Sequence, residues 1–116
     1  MKRVQIDRGD IVLINFDPSQ GDEIKGFRPA LVISSKDFHQ LGFMKVCPIT
    51  QGNAAKAREN GFSIPLNGTG CQTQGVIVVY QVRALDFRVR QVKKVESVPS
   101  YIVKEVQDIL DAINHD

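Results

Sequence analysis

Tryptophan is absent from this chain of 116 residues, and cysteine and histidine occur only twice each. Cys47 and Cys71 lie far apart, with no CxxC motif and no cluster of histidines near either of them. A structural zinc site needs four such ligands at short, recurrent spacings, so no metal site is predicted. Two buried or half-buried thiols are the commoner state of such a pair, although the sequence leaves a single disulfide open.

Long apolar runs are missing as well. Ile11–Ile14 and Val76–Tyr80 are far shorter than the ~20 residues that a membrane span requires. The N-terminal segment MKRVQIDRGD lacks the apolar stretch of a secretory signal peptide. Neither GxGxxG nor the Walker phosphate-binding loop occurs, so no nucleotide cofactor is predicted. These absences predict a cytoplasmic protein without a membrane segment and without a cofactor.

The remaining composition is that of an ordinary globular domain, with 42% hydrophobic and 24% charged residues. Since domains usually have ~100–200 residues, residues 1–116 are predicted to form a single domain with its own core. The net charge of +2 hides a local asymmetry. Residues 83–94, called the basic strip below, carry five Lys or Arg residues against one Asp, whereas the segment from Val95 onward is acidic.

Short segments of apolar and β-branched residues, separated by turn residues, predict a series of strands. The segments are Asp10–Phe16, Arg28–Ser34, Phe43–Thr50, Phe62–Leu66, Gly75–Leu85 and Arg90–Val98. Asp17-Pro18 ends the first strand, because proline fixes its own φ and pushes the preceding residue toward extended geometry. The polar segment from there to Gly26 is a loop long enough to suggest a function. Strands spaced this regularly in a short chain predict a small β-barrel.

Two helices are predicted beside the strands. Ser35–Leu41 is a candidate short helix with Gly42 as its left-handed C-cap, and it places His39 on the surface. Near the C-terminus, Pro99 fits an early helical position, and apolar residues then recur at three- and four-residue steps. These apolar residues are Val98, Ile102, Val103, Val106, Ile109, Leu110 and Ile113. The fold class predicted is therefore mainly β, a small barrel with a short helix and a C-terminal amphipathic helix.

Polar residues with possible roles in chemistry occur where strands meet loops. The segment DEIKGFRP, from Asp22 to Pro29, crowds charges into the first loop and the start of the next strand. Thr50 ends a strand and opens a second polar loop, Gln51–Asn60. Tyr80, Gln81 and Arg83 interrupt an otherwise apolar strand. Each of these features is, taken alone, common on protein surfaces.

Taken together and in order, these motifs resemble the MazF/PemK toxins of bacterial type II toxin–antitoxin pairs. The matching residues are RGDIV at Arg8–Val12, FDP at Phe16–Pro18, Gly21, Glu23, Gly26, RP at Arg28–Pro29, PIT at Pro48–Thr50, the GNAAKARENGF stretch and QVR at Gln81–Arg83. The GN-containing loop is most similar to that of the PemK/Kid and ChpB branch. The resemblance implies an SH3-like β-barrel with a C-terminal helix, a homodimer, and metal-independent cleavage of single-stranded mRNA.

The implied chemistry needs no protein nucleophile, because RNA brings its own 2′-hydroxyl. Arg28 and Thr50 are the predicted catalytic residues. Guanidinium is always charged and binds phosphate oxygens in a fork, and a hydroxyl both donates and accepts. The resemblance also implies that Glu23 fixes the first loop or contacts a base, and that Gln81 suits base recognition.

Further substrate-binding residues are predicted around this pair. Phe27 is a candidate stacking platform for a base, and Lys56 and Arg58 are candidates for an RNA-backbone clamp. The full set of predicted substrate-binding residues is Asp22, Glu23, Phe27, Gln51, Lys56, Arg58, Tyr80 and Gln81. The basic strip is predicted to attract RNA or an acidic segment of the cognate antitoxin.

The chain also departs from the family pattern. The PemK/Kid branch has a histidine where Asp22 stands, and an arginine and an aspartate at the positions of Val78 and Tyr80. A proton-transfer set of these three groups is therefore not carried over to this chain. Two alternatives to a ribonuclease stay open, which are a catalytically silent relative that binds RNA or antitoxin, and a gyrase poison like the CcdB toxins of the same fold. The C-terminal sequence Ala112–Asp116 does not resemble the Trp-Gly-Ile ending of the CcdB toxins.

Overall fold

The computed structural model describes residues 5–51 and 61–115, and within them seven strands and an α-helix follow one another. The strands are β1 (Asp10–Asn15), β2 (Phe27–Val32), β3 (Phe43–Thr50), β4 (Ser63–Pro65), β5 (Val76–Val78), β6 (Arg83–Asp86) and β7 (Val92–Ser97). The helix α1 spans Ser100–Asn114, and single 3₁₀ turns occupy Phe38–Leu41, Val79–Gln81 and Phe87–Val89. The prediction of a mainly β domain with a C-terminal helix is confirmed.

The strands form one antiparallel sheet in the order β4-β5-β3-β2-β1-β7, with β6 also paired to β3. Across β2 and β3, Ala30 lies opposite Pro48 and Val32 lies opposite Val46. Across β1 and β2, Ile14 lies opposite Arg28. Hydrogen bonds between the described residues do not join β4 to β7, so the sheet stays open where the sequence predicted a barrel.

The single strand predicted over Gly75–Leu85 is wrong, because a 3₁₀ turn at Val79–Gln81 divides it into β5 and β6. Both pieces pair with β3, but in different registers. Ile77 lies opposite Ile49, whereas Arg83 lies opposite Val46. Between these two pairs, β3 covers three residues while the β5–β6 segment covers six. The 3₁₀ turn accommodates the three extra residues. The turn closes with the hydrogen bond from Val82 N to Val79 O.

Side chains alternate between the two faces of the sheet, and each face has its own apolar cluster. One face carries Leu31, Cys47, Ile49 and Ile77, together with the buried residues of α1. The opposite face carries a second cluster, composed of Ile6, Val12, Ile14, Phe16, Ala30, Val32, Met44, Val46 and Leu85. Because strand residues are buried on both faces, the central strands read as continuous apolar runs.

Helix α1 begins after Pro99, which occupies the N-cap position next to the first helical residue. Ile102 and Val106 are buried against the sheet, while the acidic residues of the helix point outward. The predicted apolar stripe is confirmed, although Ile113 at its end is 40% exposed. Among residues 5–51 and 61–115, no helix has both the length and the apolar character needed to cross a membrane.

His39 lies in the interior, so its predicted surface position is wrong. Its Nδ1 atom is 2.9 Å from the carbonyl oxygen of Ile6, and its Nε2 atom is 2.7 Å from the hydroxyl of Ser34. Both ring nitrogens therefore have a hydrogen-bonding partner, and a satisfied imidazole can be buried at little cost. The predicted helix around it is a single 3₁₀ turn that ends at Gly42, whose φ of 91° confirms the left-handed C-cap.

The two cysteines are free thiols, as predicted, with Cys47 buried and Cys71 half-buried. Burial raises the pKa of the Cys47 thiol to about 12. A thiol that stays protonated in this way is a poor nucleophile, so Cys47 belongs to the core and not to a reaction.

Candidate functional site

The first loop, residues 16–26, folds back over one end of the sheet. Its two ends are joined by the hydrogen bond from Phe16 N to Gly26 O, 2.9 Å long. The hydroxyl of Ser19 donates to the carbonyl oxygens of Phe16 and Ile24, at 2.9 and 3.0 Å. Gly26 has a φ of 83°, which is strained for any residue with a Cβ. These contacts give the loop a defined path from β1 into β2.

Arg28 and Thr50, the two predicted catalytic residues, lie on the neighbouring strands β2 and β3. The register between β2 and β3 runs from Val32–Val46 to Ala30–Pro48, and Arg28 and Thr50 each lie two residues beyond its last pair on their own strand. Alternation along the strands puts both side chains on the same face of the sheet as Ala30 and Pro48. Both residues therefore lie on one face of the sheet, at the end where β2 begins and β3 ends.

The Arg28 side chain is half-buried and oriented by one contact. Its Nε–H donates to the carbonyl oxygen of Lys25 at 2.7 Å. The two terminal nitrogens of the guanidinium make no hydrogen bond or ion pair within residues 5–51 and 61–115. Two parallel donors remain available, which is the arrangement that binds phosphate in a fork.

Thr50 is only 5% exposed and ends β3, where it pairs with β5. On the β5 side it pairs with Val76, which forms a small apolar cluster with Val78 and with Ile24 of the first loop. Val78 stands where the family branch has an arginine, and here it is buried under the loop. The side chain at this position therefore packs against the first loop and carries no charge.

A groove of about 350 Å³ lies beside the first loop. Predicted site residues line it, since Asp22, Glu23, Tyr80 and Gln81 all border the groove, with Val82 and Arg83 completing the wall. Tyr80 is 42% exposed and comes from the 3₁₀ turn that sequence patterns did not predict. The turn thus presents an aromatic ring beside two carboxylates.

Gln81 and Glu23 both make hydrogen bonds to the backbone of the first loop. The Gln81 Oε1 atom accepts from Ile24 N at 2.8 Å, and its Nε2 atom donates to Asp22 O at 3.4 Å. Glu23 accepts from Gln20 N at 2.7 Å through its Oε1 atom. Gln81 therefore joins the 3₁₀ turn to the loop, and the two roles predicted for Glu23, fixing the loop or contacting a base, stay predictions.

Phe27 and Gln51 lie at the edges of this region. Phe27 is 53% exposed, but strand alternation places it on the face opposite Arg28. Gln51 is exposed, and its side-chain amide donates to Gln74 O at 3.1 Å. The predicted residues Lys56 and Arg58 fall outside the described residues.

Sequence patterns missed a set of contacts in the segment before β5, whose last residue, Gly75, lies against Thr50 O. Glu96 on β7 accepts hydrogen bonds from Gln72 N and from the backbone and hydroxyl of Thr73, at 2.6 to 3.1 Å. The pKa of Glu96 is lowered, chiefly by the hydrogen bond from the Thr73 hydroxyl. A Cβ atom on Gly75 would lie 2.6 Å from Thr50 O, so only glycine fits there. These partners are distant in sequence, and no local motif indicates them.

Comparison with known proteins gives consistent matches over nearly the whole chain. The family model described as "PemK-like, MazF-like toxin of type II toxin-antitoxin system" matches residues 7–113. The endoribonuclease toxin ChpB of Escherichia coli strain K12 is 43% identical over 114 residues, which cover 97% of each chain.

Solved structures are similar as well. MazF from Deinococcus radiodurans, crystal form I, is 31% identical with a TM-score of 0.81, over 96% of this chain and 97% of that one. The MazE–MazF complex from the same organism, form II, is 28% identical with a TM-score of 0.74, over 95% of both chains.

Proposed function

Because this chain belongs to the PemK/MazF family of type II toxin–antitoxin toxins, we propose that it is a sequence-selective endoribonuclease that cleaves single-stranded mRNA without a metal ion. The chain forms a single toxin domain over residues 1–116 and acts in the cytoplasm. The observation that carries the proposal is that Arg28 and Thr50 lie on one face at the same end of β2 and β3, and that the terminal guanidinium nitrogens of Arg28 make no hydrogen bond within residues 5–51 and 61–115.

The reaction uses the 2′-hydroxyl of RNA as its nucleophile. The 2′-oxygen attacks the adjacent phosphorus atom, the bond from phosphorus to the 5′-oxygen breaks, and the 2′-hydroxyl proton is lost while the leaving oxygen gains one. The products are a 2′,3′-cyclic phosphate and a 5′-hydroxyl end. Arg28 binds the non-bridging phosphate oxygens, where negative charge builds up in the transition state. Thr50 orients the same phosphate through its hydroxyl.

The groove beside the first loop holds a nucleobase in this proposal. Tyr80 provides a ring for stacking, which is worth about 1–3 kcal/mol per base. Asp22 and Glu23 provide carboxylate oxygens, which accept hydrogen bonds from the amino and imino groups of a base edge. Selectivity for a short sequence motif then arises from the loop and the 3₁₀ turn, while Arg28 and Thr50 act on every substrate.

The partners proposed for this chain are a second copy of itself and a cognate antitoxin. MazF of Deinococcus radiodurans, which shares this fold, was solved in complex with MazE. By analogy, an acidic and partly disordered antitoxin segment covers the site and becomes ordered on binding.

A catalytically silent relative that binds RNA or antitoxin is the second candidate, and one observation favours it. Val78 is buried against Ile24 at the position where the PemK/Kid branch has an arginine. General acid–base help is worth about 10²–10⁴ in rate, so its loss weakens an enzyme more readily than it abolishes one.

The test is to incubate the purified protein with a long mixed-sequence RNA in EDTA and to map the new 5′ ends. We expect cuts at a repeated short motif, with 5′-hydroxyl ends. Arg28→Ala should lower kcat about 10²–10³-fold, and Arg28→Lys should recover little of it because an ammonium group has no fork. Thr50→Val keeps the shape and removes one hydrogen bond, so a loss of about tenfold is expected.

Lys104→Ala is the matched control, since Lys104 is an exposed cation on α1 that pairs with Asp108. Its cleavage rate should equal that of the wild type. Full activity in Arg28→Ala would refute the assignment of that residue. Intact RNA with the wild-type protein would favour the silent relative if RNA is bound, and the gyrase poison if DNA supercoiling stops.

A further inference from the structure

Two arginines of the basic strip, Arg83 and Arg90, donate hydrogen bonds to the beginning of the first loop. The Nη1 atom of Arg83 is 2.9 Å from Phe16 O, and its Nη2 atom is 3.3 Å from Pro18 O. Arg83 also donates to the Ser19 hydroxyl at 3.3 Å, and its guanidinium lies 5.8 Å from the centre of the Phe16 ring. One side chain thus contacts the loop at four points.

Arg90 holds the residues on either side of Phe16. Its Nε atom donates to Asn15 O at 2.9 Å, and its Nη2 atom donates to Asp17 O at 3.4 Å. A third bond, from Nη1 to Asp86 O at 3.0 Å, fixes the guanidinium to β6. The carbonyl oxygens of residues 15–18 are therefore all bound by the two arginines.

The position of these residues is passed on to Arg28 through the loop. Ser19 links Phe16 O to Ile24 O, and Gly26 N donates to the carboxylate of Asp17 at 3.1 Å. Lys25 lies between Ile24 and Gly26, and its carbonyl oxygen accepts a hydrogen bond from Arg28 Nε. An unbroken series of contacts runs from the two arginines to the side chain proposed to bind the scissile phosphate.

The other cations of the basic strip do not share this role. Arg88 is exposed and forms an ion pair with Asp86 at 2.9 Å. Lys94 lies 3.4 Å from the carboxylate of Asp10, at the far end of β1 from the loop. All of these cations carry charge, but among the described cations of the basic strip only Arg83 and Arg90 donate hydrogen bonds to the first loop.

We propose that Arg83 and Arg90 are positioning residues of the reaction, which fix the first loop and, through Lys25 O, the guanidinium of Arg28. The proposal rests on the proposed ribonuclease function. It replaces the prediction that these two arginines attract RNA by their charge. Arginine is required because a planar fork donates to several fixed carbonyls at once, whereas an ammonium group cannot reach them with the same geometry.

Charge and geometry are separated by comparing Arg83→Lys and Arg90→Lys with Arg88→Ala. The two lysine variants keep the charge and lose the fork, while Arg88→Ala loses a charge of the same strip and leaves the loop contacts intact. A displacement of about 1 Å at a reacting group costs up to about 10²-fold in rate. We therefore expect kcat to fall at least about tenfold in each lysine variant with KM nearly unchanged, and kcat to stay within about twofold of wild type in Arg88→Ala.

A double variant shows whether the effect passes through Arg28. If it does, Arg83→Lys lowers kcat much less in an Arg28→Ala background than in the wild type, since residues in one network are not additive. If the fold-losses in kcat of the two single variants instead multiply in the double variant, the proposal is overturned. Independent factors are what a merely destabilised protein would show.

Hydrogen exchange gives a readout that does not depend on cleavage. The amides of Phe16 and Gly26, both bonded within the loop, should exchange faster in Arg83→Lys and in Arg90→Lys than in Arg88→Ala, at equal thermal stability. Wild-type exchange and wild-type kcat in both lysine variants would overturn the proposal, and so would an equal loss of kcat in Arg88→Ala. If the wild-type protein leaves RNA intact, the proposed function fails, while exchange still tests whether the arginines fix the loop.

Discussion

Gly75 lies directly against the backbone of Thr50, and this contact restricts both residues. Its φ of 123° is a conformation that residues with a Cβ rarely adopt. Its missing Cβ also makes room for Thr50 O, because a Cβ there would lie 2.6 Å from that oxygen. The end of β3 therefore keeps its position only if position 75 has no side chain.

We expect Gly75→Ala to be more costly than Gly68→Ala, its matched control. Gly68 also has a positive φ of 83°, but a Cβ there would meet nothing within 4 Å. A residue with a Cβ at a positive φ costs about 1–2 kcal/mol of stability, and both variants incur this cost. The additional clash at Gly75 should bring its loss to roughly 3 kcal/mol or more, and should also reduce cleavage through Thr50. Urea unfolding of both variants measures the difference, and equal losses would show that the contact with Thr50 O does not constrain the chain.

Single residues also mark where prediction from the sequence succeeded and where it failed. Gly42 was predicted correctly as a left-handed C-cap because glycine favours a positive φ, whereas the catalytic roles of Arg28 and Thr50, taken from the motifs RP and PIT, stay predictions. His39 was placed wrongly, since the two groups that satisfy it, Ile6 O and the Ser34 hydroxyl, are brought to it only by folding. Gln81 was predicted to read a base, and its contact with Ile24 N spans 57 positions of sequence. Side-chain partners at such separations leave no local pattern.

Among the elements, β7 and the segment before β5 are linked by Glu96. This carboxylate is half-buried and accepts three hydrogen bonds from Gln72 and Thr73. The segment continues to Gln74, whose carbonyl oxygen is bound by Gln51. Glu96 thus holds the segment that leads to Gly75, the residue that lies against Thr50 O at the end of β3.

We expect Glu96→Gln to lower the stability of the protein in a pH-dependent way. The folded-state pKa of Glu96 lies below its usual value of 4.5, mainly because Thr73 donates to the carboxylate. Such a group stabilises the fold above its unfolded pKa, and the contribution is lost as the pH falls through the folded pKa. The free energy of unfolding of the wild type should therefore exceed that of the variant by the order of 1 kcal/mol at pH 7, a value discounted for solvent exposure, and the difference should shrink as the pH falls through the folded-state pKa of Glu96.

Glu105→Gln on α1 provides the control, because Glu105 is exposed and makes no hydrogen bond or ion pair within residues 5–51 and 61–115. Thermal unfolding between about pH 3 and pH 7 compares the two variants with the wild type. A constant difference between wild type and Glu96→Gln over this range would contradict the role of the carboxylate charge.

Strands and the C-terminal helix were predictable to within a few residues, because periodicity reports burial within each element. The division of Gly75–Leu85 was not predictable, since it depends on the two registers in which Ile77 and Arg83 pair with β3. Register between distant strands is a property of the sheet as a whole. The same limit applies to the groove, whose aromatic wall, Tyr80, exists only because of that division.

At the scale of the whole molecule, a net charge of +2 sets how the protein meets a polyanion. Arg83 and Arg90 are engaged with backbone carbonyls, and Arg88 with Asp86, so few cations of the basic strip remain for phosphate. In the proposed function, phosphate contacts then come from Arg28 and from the predicted clamp residues Lys56 and Arg58. Binding should depend on salt only as strongly as such a small number of contacts allows.

The salt dependence of the RNA-binding constant therefore measures how many phosphates the predicted clamp residues contact. For a single strand, the slope of log K against log salt is about −0.7 per phosphate neutralised. We expect Lys56→Ala and Arg58→Ala each to make the slope shallower by about 0.7, while Lys104→Ala leaves it unchanged. The measurement uses fluorescence anisotropy with a 2′-O-methyl RNA that carries the mapped cleavage motif and cannot be cut, between about 50 and 200 mM salt. Wild-type slopes in both loop variants would show that neither residue contacts phosphate, and a change in Lys104→Ala would place RNA on α1 instead.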